Sequence, residues 1–164
     1  MKSSVPAFML ALGLLLSSLA EARVTFTSIG VSFLGTGLLS LTVERRSGDS
    51  SVRANIGFFD SPRELCLAVT ANRYRDSGTF SPHIGAGLWT VLAITPKGIG
   101  HIDALTFPVG VDWSADTRNL IGAEADPSLF FGGRDPESGP MRFKKNRRTM
   151  FIALPALSWK YHPQ

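Results

Sequence analysis

The sequence predicts an all-β fold in which eight antiparallel strands close into an up-and-down β-barrel. Apolar and polar residues alternate with period two through most of the chain, and segments rich in Gly, Pro, Asp and Ser separate the alternating runs. No stretch after residue 23 repeats apolar residues with the i, i+3, i+4, i+7 spacing of an amphipathic helix. Eight strands joined by short turns can close on themselves, which leaves no unpaired sheet edge.

The first 22 residues have the layout of a secretory signal peptide. Lys2 precedes an apolar run over 8–16, and Ala20-Glu21-Ala22 offers the small-x-small site at which a signal peptidase cuts. The apolar run is too short to span a bilayer as a helix, which needs roughly 20 residues. We therefore predict a cleaved signal peptide over 1–22, export of the protein, and a β-barrel domain over 23–164.

The first four strands are predicted at 24–34, 38–46, 51–59 and 65–75. The alternating apolar residues are Leu39, Leu41 and Val43 in the second strand, Val52, Ala54, Ile56 and Phe58 in the third, and Leu65, Leu67 and Val69 in the fourth. Turn-forming residues separate these strands at Gly35-Thr36-Gly37, Ser47-Gly48-Asp49-Ser50 and Asp60-Ser61-Pro62.

The last four strands are predicted at 82–95, 101–113, 119–131 and 148–162. Their alternating apolar residues include Ile84, Ala86 and Leu88, then Leu105, Phe107, Val109 and Val111, then Ile121, Ala123 and Ala125, and finally Leu157, Trp159 and Tyr161. Pro108 and Pro155 stand inside two of these strands, and each suggests a bulge because proline lacks a ladder donor. A bulge at Pro155 would also explain why the apolar parity of Ile152 and Leu154 differs from that of Leu157.

The chemistry of the less apolar strand face favours a membrane-spanning barrel. This face is rich in Gly, Ser and Thr, whereas a water-facing surface is normally about a quarter to a third charged. A narrow eight-stranded interior is just wide enough for side chains to fill it, and small residues relieve its crowding. We therefore expect a transmembrane barrel. The alternative is a secreted lipocalin-like carrier, in which the apolar face would turn inward and line a cavity for an apolar ligand.

The charged residues on this face have both signs, and we expect them to pair across the lumen because a buried charge needs a partner. The predicted polar network of the lumen consists of Glu44, Arg53, Asn55, Asp112, Glu124 and Lys160.

One segment resembles a known motif. Ser81-Pro82-His83-Ile84-Gly85-Ala86-Gly87-Leu88-Trp89 resembles the Pro-Tyr-x-Gly-x-Gly strand opening of small bacterial outer-membrane barrels of the OmpA-like, opacity-like and OmpW-like group. The resemblance implies a monomer in the outer membrane of a Gram-negative bacterium, in contact with its lipids, with a structural or surface-interaction role.

The only long connection that we predict lies at about 132–148, on the outward side of the barrel, and it carries a dense run of cations. These cations are Arg142, Lys144, Lys145, Arg147 and Arg148. Guanidinium and ammonium groups there would gain charge-assisted contacts with the phosphates of lipopolysaccharide. An ordinary solvated loop explains the same run. Nucleic acid has suitable chemistry, but export makes it a poor fit as a partner.

The sequence offers no convincing enzyme, metal or cofactor site. A lipid A-modifying barrel enzyme is a further alternative, and His101 with Asp103 on the same strand face is its best candidate pair. No Ser stands two positions from His101, so this pair supplies only two members of a catalytic triad. The three His and the single Cys66 have no metal-ligand spacing, and Cys66 excludes an internal disulfide. We expect no catalytic residues, no metal and no cofactor.

Overall fold

The computed structural model describes residues 26–59, 61, 63–75, 78–135, 139–140 and 151–163. The predicted signal peptide and the five cations of the predicted basic loop lie outside these residues. The described chain is all-β and antiparallel, as the alternation predicts. None of the described residues forms a helix that is long and apolar enough to cross a membrane.

The described residues form ten strands. They are β1 (Phe26–Leu34), β2 (Leu39–Ser47), β3 (Ser50–Phe58), β4 (Glu64–Tyr74), β5 (Phe80–Thr95), β6 (Gly98–Thr106), β7 (Val109–Ser114), β8 (Asn119–Asp135), β9 (Gly139–Pro140) and β10 (Phe151–Tyr161). The strands from β1 to β6 pair in chain order, β8 pairs with β10, and β10 returns to pair with β1. The sheet therefore closes into a ring, and the two-residue β9 pairs with β8 at its side.

Strands β6 and β7 together fill one position in this ring. Each pairs with β5 on one side and with β8 on the other. The backbone leaves the strand conformation only at Phe107 and Pro108, where the Phe107 N–H still donates to the carbonyl oxygen of Pro127 at 2.8 Å. The nine described strands of the ring therefore fill eight positions, and the strand predicted at 101–113 is two strands in line.

The register shift found among the described strand pairs lies at neither predicted proline bulge, because the pairs on both sides of Phe107 and Pro108 keep one register with β5 and with β8. The register between β6 and β8 shifts between Asp103 and Ala104, which leaves Phe131 of β8 without a direct partner in β6. The pairing of β10 with β8 runs unbroken past Pro155. The bulge predicted at Pro155 is therefore wrong.

Apolar residues occupy even-numbered as well as odd-numbered positions in the first part of β10 but only odd-numbered positions in the last part, and the chemistry of the ring interior explains this change. Ile152 and Leu154 already occupy inward positions, because they pack against a buried apolar group that contains Trp89 and Phe130. Farther along the same inward face, Lys160 is buried among polar groups. The strand keeps its period of two, and the chemistry of the interior changes along it.

Buried polar residues line much of the inside of the ring, and large apolar residues cover its outside. In β2, burial alternates strictly, so that Leu41 is 50% exposed whereas its neighbour Thr42 is 1% exposed. Buried polar side chains include Ser28, Ser32, Ser40, Ser51, Thr70, Asn72, Ser81, Thr106 and Ser128. Large exposed hydrophobic side chains include Ile29, Phe33, Val43, Ile56, Ile84, Val109, Ile121 and Leu157. This arrangement is the reverse of that in a water-soluble domain.

The ring has two distinct ends. Strand β1 begins and β10 ends at one of them, which we call the terminal end, together with the turns between β2 and β3 and between β7 and β8. The turns between β1 and β2 and between β5 and β6 lie at the other, which we call the distal end.

We predict that Gly87→Ala destabilises the ring. A Cβ at Gly87 would collide with the carbonyl oxygen of Val69 and lie 2.7 Å from the Cα of Thr70, so the β4 backbone would have to move. We expect the free energy of unfolding, measured by urea denaturation with tryptophan fluorescence, to fall by about 1–3 kcal/mol. The control is Ala86→Val on the exposed outer face of the same strand, which should change it by less than about 0.5 kcal/mol. Equal losses in both variants would contradict the prediction.

We predict an acid-sensitive turn between β7 and β8. Asp116 Oδ1 accepts hydrogen bonds from the N–H groups of Arg118 at 2.7 Å and Asn119 at 2.8 Å, and the Arg118 N–H is the main cause of a lowered Asp116 pKa. The stabilisation is therefore present above the unfolded value of about 3.9 and is lost as pH falls through the folded pKa. Carboxyl NMR should give Asp116 a pKa below 3.9. In Asp116→Asn, the contribution of this turn to the free energy of unfolding should no longer change with pH. A value at or above 3.9 would refute the prediction.

Candidate functional site

A buried ionic cluster occupies the interior of the ring toward its terminal end. We define it as Glu44, Arg53, Asp112, Glu124 and Lys160. Five different strands supply these side chains, namely β2, β3, β7, β8 and β10. The structure therefore brings together five of the six residues that the sequence proposes for the polar network, although Glu44 and Lys160 are 116 positions apart in the chain.

Lys160 lies between two carboxylates. Its Nζ donates to Glu44 Oε2 at 2.9 Å and to Asp112 Oδ2 at 2.8 Å. All three side chains are almost completely buried, with exposed fractions of 1% for Lys160 and 3% for each acid. An isolated ammonium group at this depth would lose several kcal/mol of hydration free energy, so the two carboxylates make its burial possible.

Arg53 continues the chain of alternating charges. Its Nη1 lies 2.8 and 2.7 Å from the two carboxylate oxygens of Glu124, and its Nε lies 3.6 Å from Glu44 Oε2. The cluster therefore runs in the order Asp112, Lys160, Glu44, Arg53, Glu124, so that each inner charge touches two charges of opposite sign.

Neutral and aromatic groups add further hydrogen bonds to the cluster. Tyr74 Oη donates to Glu44 Oε1 at 2.6 Å and accepts from Arg53 Nη2 at 3.2 Å, and Ser51 Oγ donates to the same oxygen of Glu44. His83 Nε2 lies 2.9 Å from Glu124 Oε2. The sequence reasoning did not assign Ser51, Tyr74 and His83 to the network. The period-two alternation could have identified them, because each of the three side chains lies on the inward face of its strand.

Asn55, the sixth predicted member, lies apart from the cluster. It is half-buried and its Nδ2 donates to Thr36 Oγ1 at 3.5 Å, in the turn between β1 and β2. Asn55 is two residues beyond Arg53 on the same face of β3, which moves its short side chain toward the distal end. Its contact ties that turn to the interior wall of the ring.

Asp126 is an additional buried acid on the inward face of β8. It lies two residues beyond Glu124 and is 4% exposed. No described side chain or backbone N–H donates to its carboxylate, which faces the turn at Gly35, where a Cβ would lie 2.6 Å from Asp126 Oδ2. The carboxylate marks the boundary between the ionic cluster and the apolar part of the interior.

A buried apolar group lies in the interior toward the distal end. Ala68, Trp89, Ala104 and Phe130 are buried together there, and the rings of Trp89 and Phe130 meet edge to face with centroids 5.4 Å apart. Val91, Ile102, Ile152 and Leu154 pack against this group. Two chemically different sets of side chains therefore fill the inside of the ring along its length.

His101 and Asp103 lie together on the outer face but do not form a catalytic triad. His101 Nε2 lies 3.5 Å from Asp103 Oδ2, and Thr90 Oγ1 donates to Asp103 Oδ1 at 2.9 Å. The carboxylate thus lies between the hydroxyl and the imidazole, whereas a triad needs the imidazole beside the nucleophile. Within the described part of the chain, no group of three or more His, Cys, Asp or Glu side chains could hold a metal ion.

We predict that Lys160→Met strongly destabilises the protein. The substitution leaves Asp112 without its cation, and we expect the free energy of unfolding to fall by about 3–5 kcal/mol in urea denaturation. Lys160→Met/Asp112→Asn should recover part of this loss, because the unpaired charge is gone. The control is Lys97→Met in the exposed turn between β5 and β6, which should cost less than about 1 kcal/mol. A Lys160→Met variant with the same free energy of unfolding as the parent protein would contradict this account of the cluster.

A comparison of the chain with protein-family models, curated proteins and solved structures gives no match. The resemblance of 81–89 to small outer-membrane barrels therefore stays a prediction, as does the contact of Arg142, Lys144, Lys145, Arg147 and Arg148 with lipopolysaccharide. The function has to be argued from the two faces of the ring.

Proposed function

We propose that this chain is a small outer-membrane β-barrel that crosses the bilayer and has a structural or surface-interaction role. One observation carries the proposal, namely that large apolar side chains cover the outside of the ring while its inside holds many buried polar side chains and paired charges. In water this arrangement would leave large hydrophobic side chains exposed on strands all around the ring, whereas soluble monomers rarely expose contiguous apolar patches larger than a few hundred Å². In lipid it is the favourable arrangement.

The strand lengths agree with a membrane crossing. Strands β1, β2 and β3 each have 9 residues, and β4 and β10 each have 11. A tilted strand needs about 9–11 residues to cross the hydrocarbon core. A closed ring also leaves no unpaired backbone edge in lipid, where each unsatisfied N–H or carbonyl costs several kcal/mol.

Aromatic side chains on the outer face are grouped toward the two ends of the ring, as expected for a protein that meets two membrane interfaces. Toward the terminal end these are Phe80, Trp113, Trp159 and Tyr161, and toward the distal end they are Phe33, Phe58, Phe59, Phe131 and Phe151. Membrane barrels carry such girdles at both boundaries of their apolar band. The indole N–H of Trp159 donates to Asn119 Oδ1 at 3.1 Å, which places its polar atom beside a turn.

The filled interior favours a structural or surface role over a wide channel. The ionic cluster lies in the interior toward the terminal end, and the apolar group around Trp89 and Phe130 lies toward the distal end. A ring of this strand number is just wide enough for side chains to fill it. Function then belongs to the outer surface and the connections, and we propose the basic run at 142–148 as the contact with lipopolysaccharide phosphates.

The secreted carrier is the weaker alternative. Its apolar ligand would need an apolar cavity, yet Leu39, Leu41, Val43, Ile56 and Phe58 are all exposed on the outer face. A lipid A-modifying enzyme has no supporting observation among the described residues, because the imidazole of His101 has no hydroxyl beside it.

We predict that a charge in the middle of the outer face prevents stable insertion. The chain is refolded into phosphatidylcholine vesicles and analysed on detergent gels with and without heating, where the folded protein should show a heat-dependent shift in mobility. Leu41→Arg should lower the folding free energy in these vesicles by about 2–4 kcal/mol, because Leu41 faces hydrocarbon. Ala115→Arg, in the exposed turn between β7 and β8, should change it by less than about 0.5 kcal/mol.

Two results would overturn the proposal. One is a protein that is monomeric and soluble without detergent and gives no mobility shift. The other is a Leu41→Arg variant that folds as well as the parent chain, since an exposed leucine in water tolerates arginine.

A further inference from the structure

The outer rim at the terminal end is divided into an aromatic part and a basic part. Phe80, Trp113, Trp159 and Tyr161 lie on β5, β7 and β10. Strands β2 and β4 carry arginine at this end instead. We call Arg45, Arg73 and Arg75 the arginine rim; the first two lie near the ends of their strands, and Arg75 directly follows β4.

The arginine rim continues the apolar outer face. Arg45 is the next outward residue of β2 after Val43, and Arg73 is the next outward residue of β4 after Ala71. Val52 of β3 pairs with Arg45, and Ser50 pairs with Arg73. The two arginines therefore flank one strand with short outward side chains and are offset by two residues along it, which puts their backbones about 12 Å apart at normal strand spacing and rise.

The described protein offers these guanidinium groups no acceptor. Arg45, Arg73 and Arg75 are exposed, and none forms an ion pair or a side-chain hydrogen bond within the described residues. The adjacent Arg46 behaves differently, because it points inward, stacks 4.2 Å above the ring centroid of Tyr74 and donates from Nε to the carbonyl oxygen of Gly48. The alternation of β2 thus sends one guanidinium into the protein and its neighbour into the surroundings.

We propose that the arginine rim binds the phosphodiester headgroups of anionic phospholipids in the leaflet around the terminal end. This inference rests on the proposed membrane function, since Val43 and Ala71 set the depth at which the guanidinium groups meet the bilayer. A planar guanidinium donates two parallel hydrogen bonds to phosphate oxygens, and its charge favours an anionic lipid over a zwitterionic one. The aromatic part of the rim anchors the other side of the ring at the same boundary without a preference for charge.

The test compares the affinities of an anionic and a zwitterionic phospholipid for the surface of the reconstituted protein. The full chain is refolded into phosphatidylcholine vesicles that contain traces of spin-labelled phosphatidylglycerol or of spin-labelled phosphatidylcholine. Electron paramagnetic resonance then gives the association constant of phosphatidylglycerol relative to that of phosphatidylcholine. We expect a preference for phosphatidylglycerol of about fivefold, the factor expected for one cation near an anionic surface. The preference should decrease as salt concentration rises.

The variant Arg45→Gln/Arg73→Gln/Arg75→Gln should lower this preference more than the matched control does, while it keeps the heat-dependent mobility shift. The matched control, Arg63→Gln/Lys97→Gln/Arg134→Gln, removes three exposed cations near the distal end and should keep the preference. The inference is overturned if the parent protein shows no preference, if the rim variant keeps it, or if the control loses it equally. Failure of the parent chain to insert at all would instead overturn the proposed function.

Discussion

The closed ring depends on the pairing of charges that it buries. Asp112, Lys160, Glu44, Arg53 and Glu124 form a chain of alternating sign, and the strands that carry them come from both ends of the sequence. Because an unpaired buried charge costs several kcal/mol, the cluster is tolerable only when β10 has paired with β1 and brought Lys160 to Glu44. Ring closure and charge neutralisation therefore require each other.

The buried polar residues on the inner face leave the outer face to apolar residues. Each strand has only two faces, so the hydroxyl, amide and charged side chains that fill the ring are matched by Leu, Ile, Val and Phe outside. The interior itself is divided, with the ionic cluster toward the terminal end and the Trp89–Phe130 group toward the distal end. Both parts fill the ring, so its interior serves stability, and the surface that contacts the surroundings carries the proposed role.

The outer rim at the terminal end carries two kinds of interfacial group. Indole and phenol rings suit the boundary between hydrocarbon and water, and guanidinium groups suit phosphate. Because these groups occupy different strands, the proposed barrel would present an aromatic side and an arginine side to the lipids around it. This asymmetry follows from single residues at strand ends, where one step of the alternation decides whether an arginine faces the inside or the outside of the ring.

The alternation in the sequence by itself determined the all-β class, most of the strand positions and the side of each strand on which polar residues lie, because a side chain's face follows from its parity. It did not determine which charges meet. Lys160 contacts Glu44 only through the register of β10 and β1, and Asn55, with suitable chemistry and parity, is too short and too far along β3 to join. Tertiary structure also decided that Pro155 keeps the ladder in register, because Ile152 and Leu154 pack against a local apolar interior that parity alone cannot distinguish from lipid. Parity is a property of one strand, whereas register and the filling of the interior arise only when the ring closes.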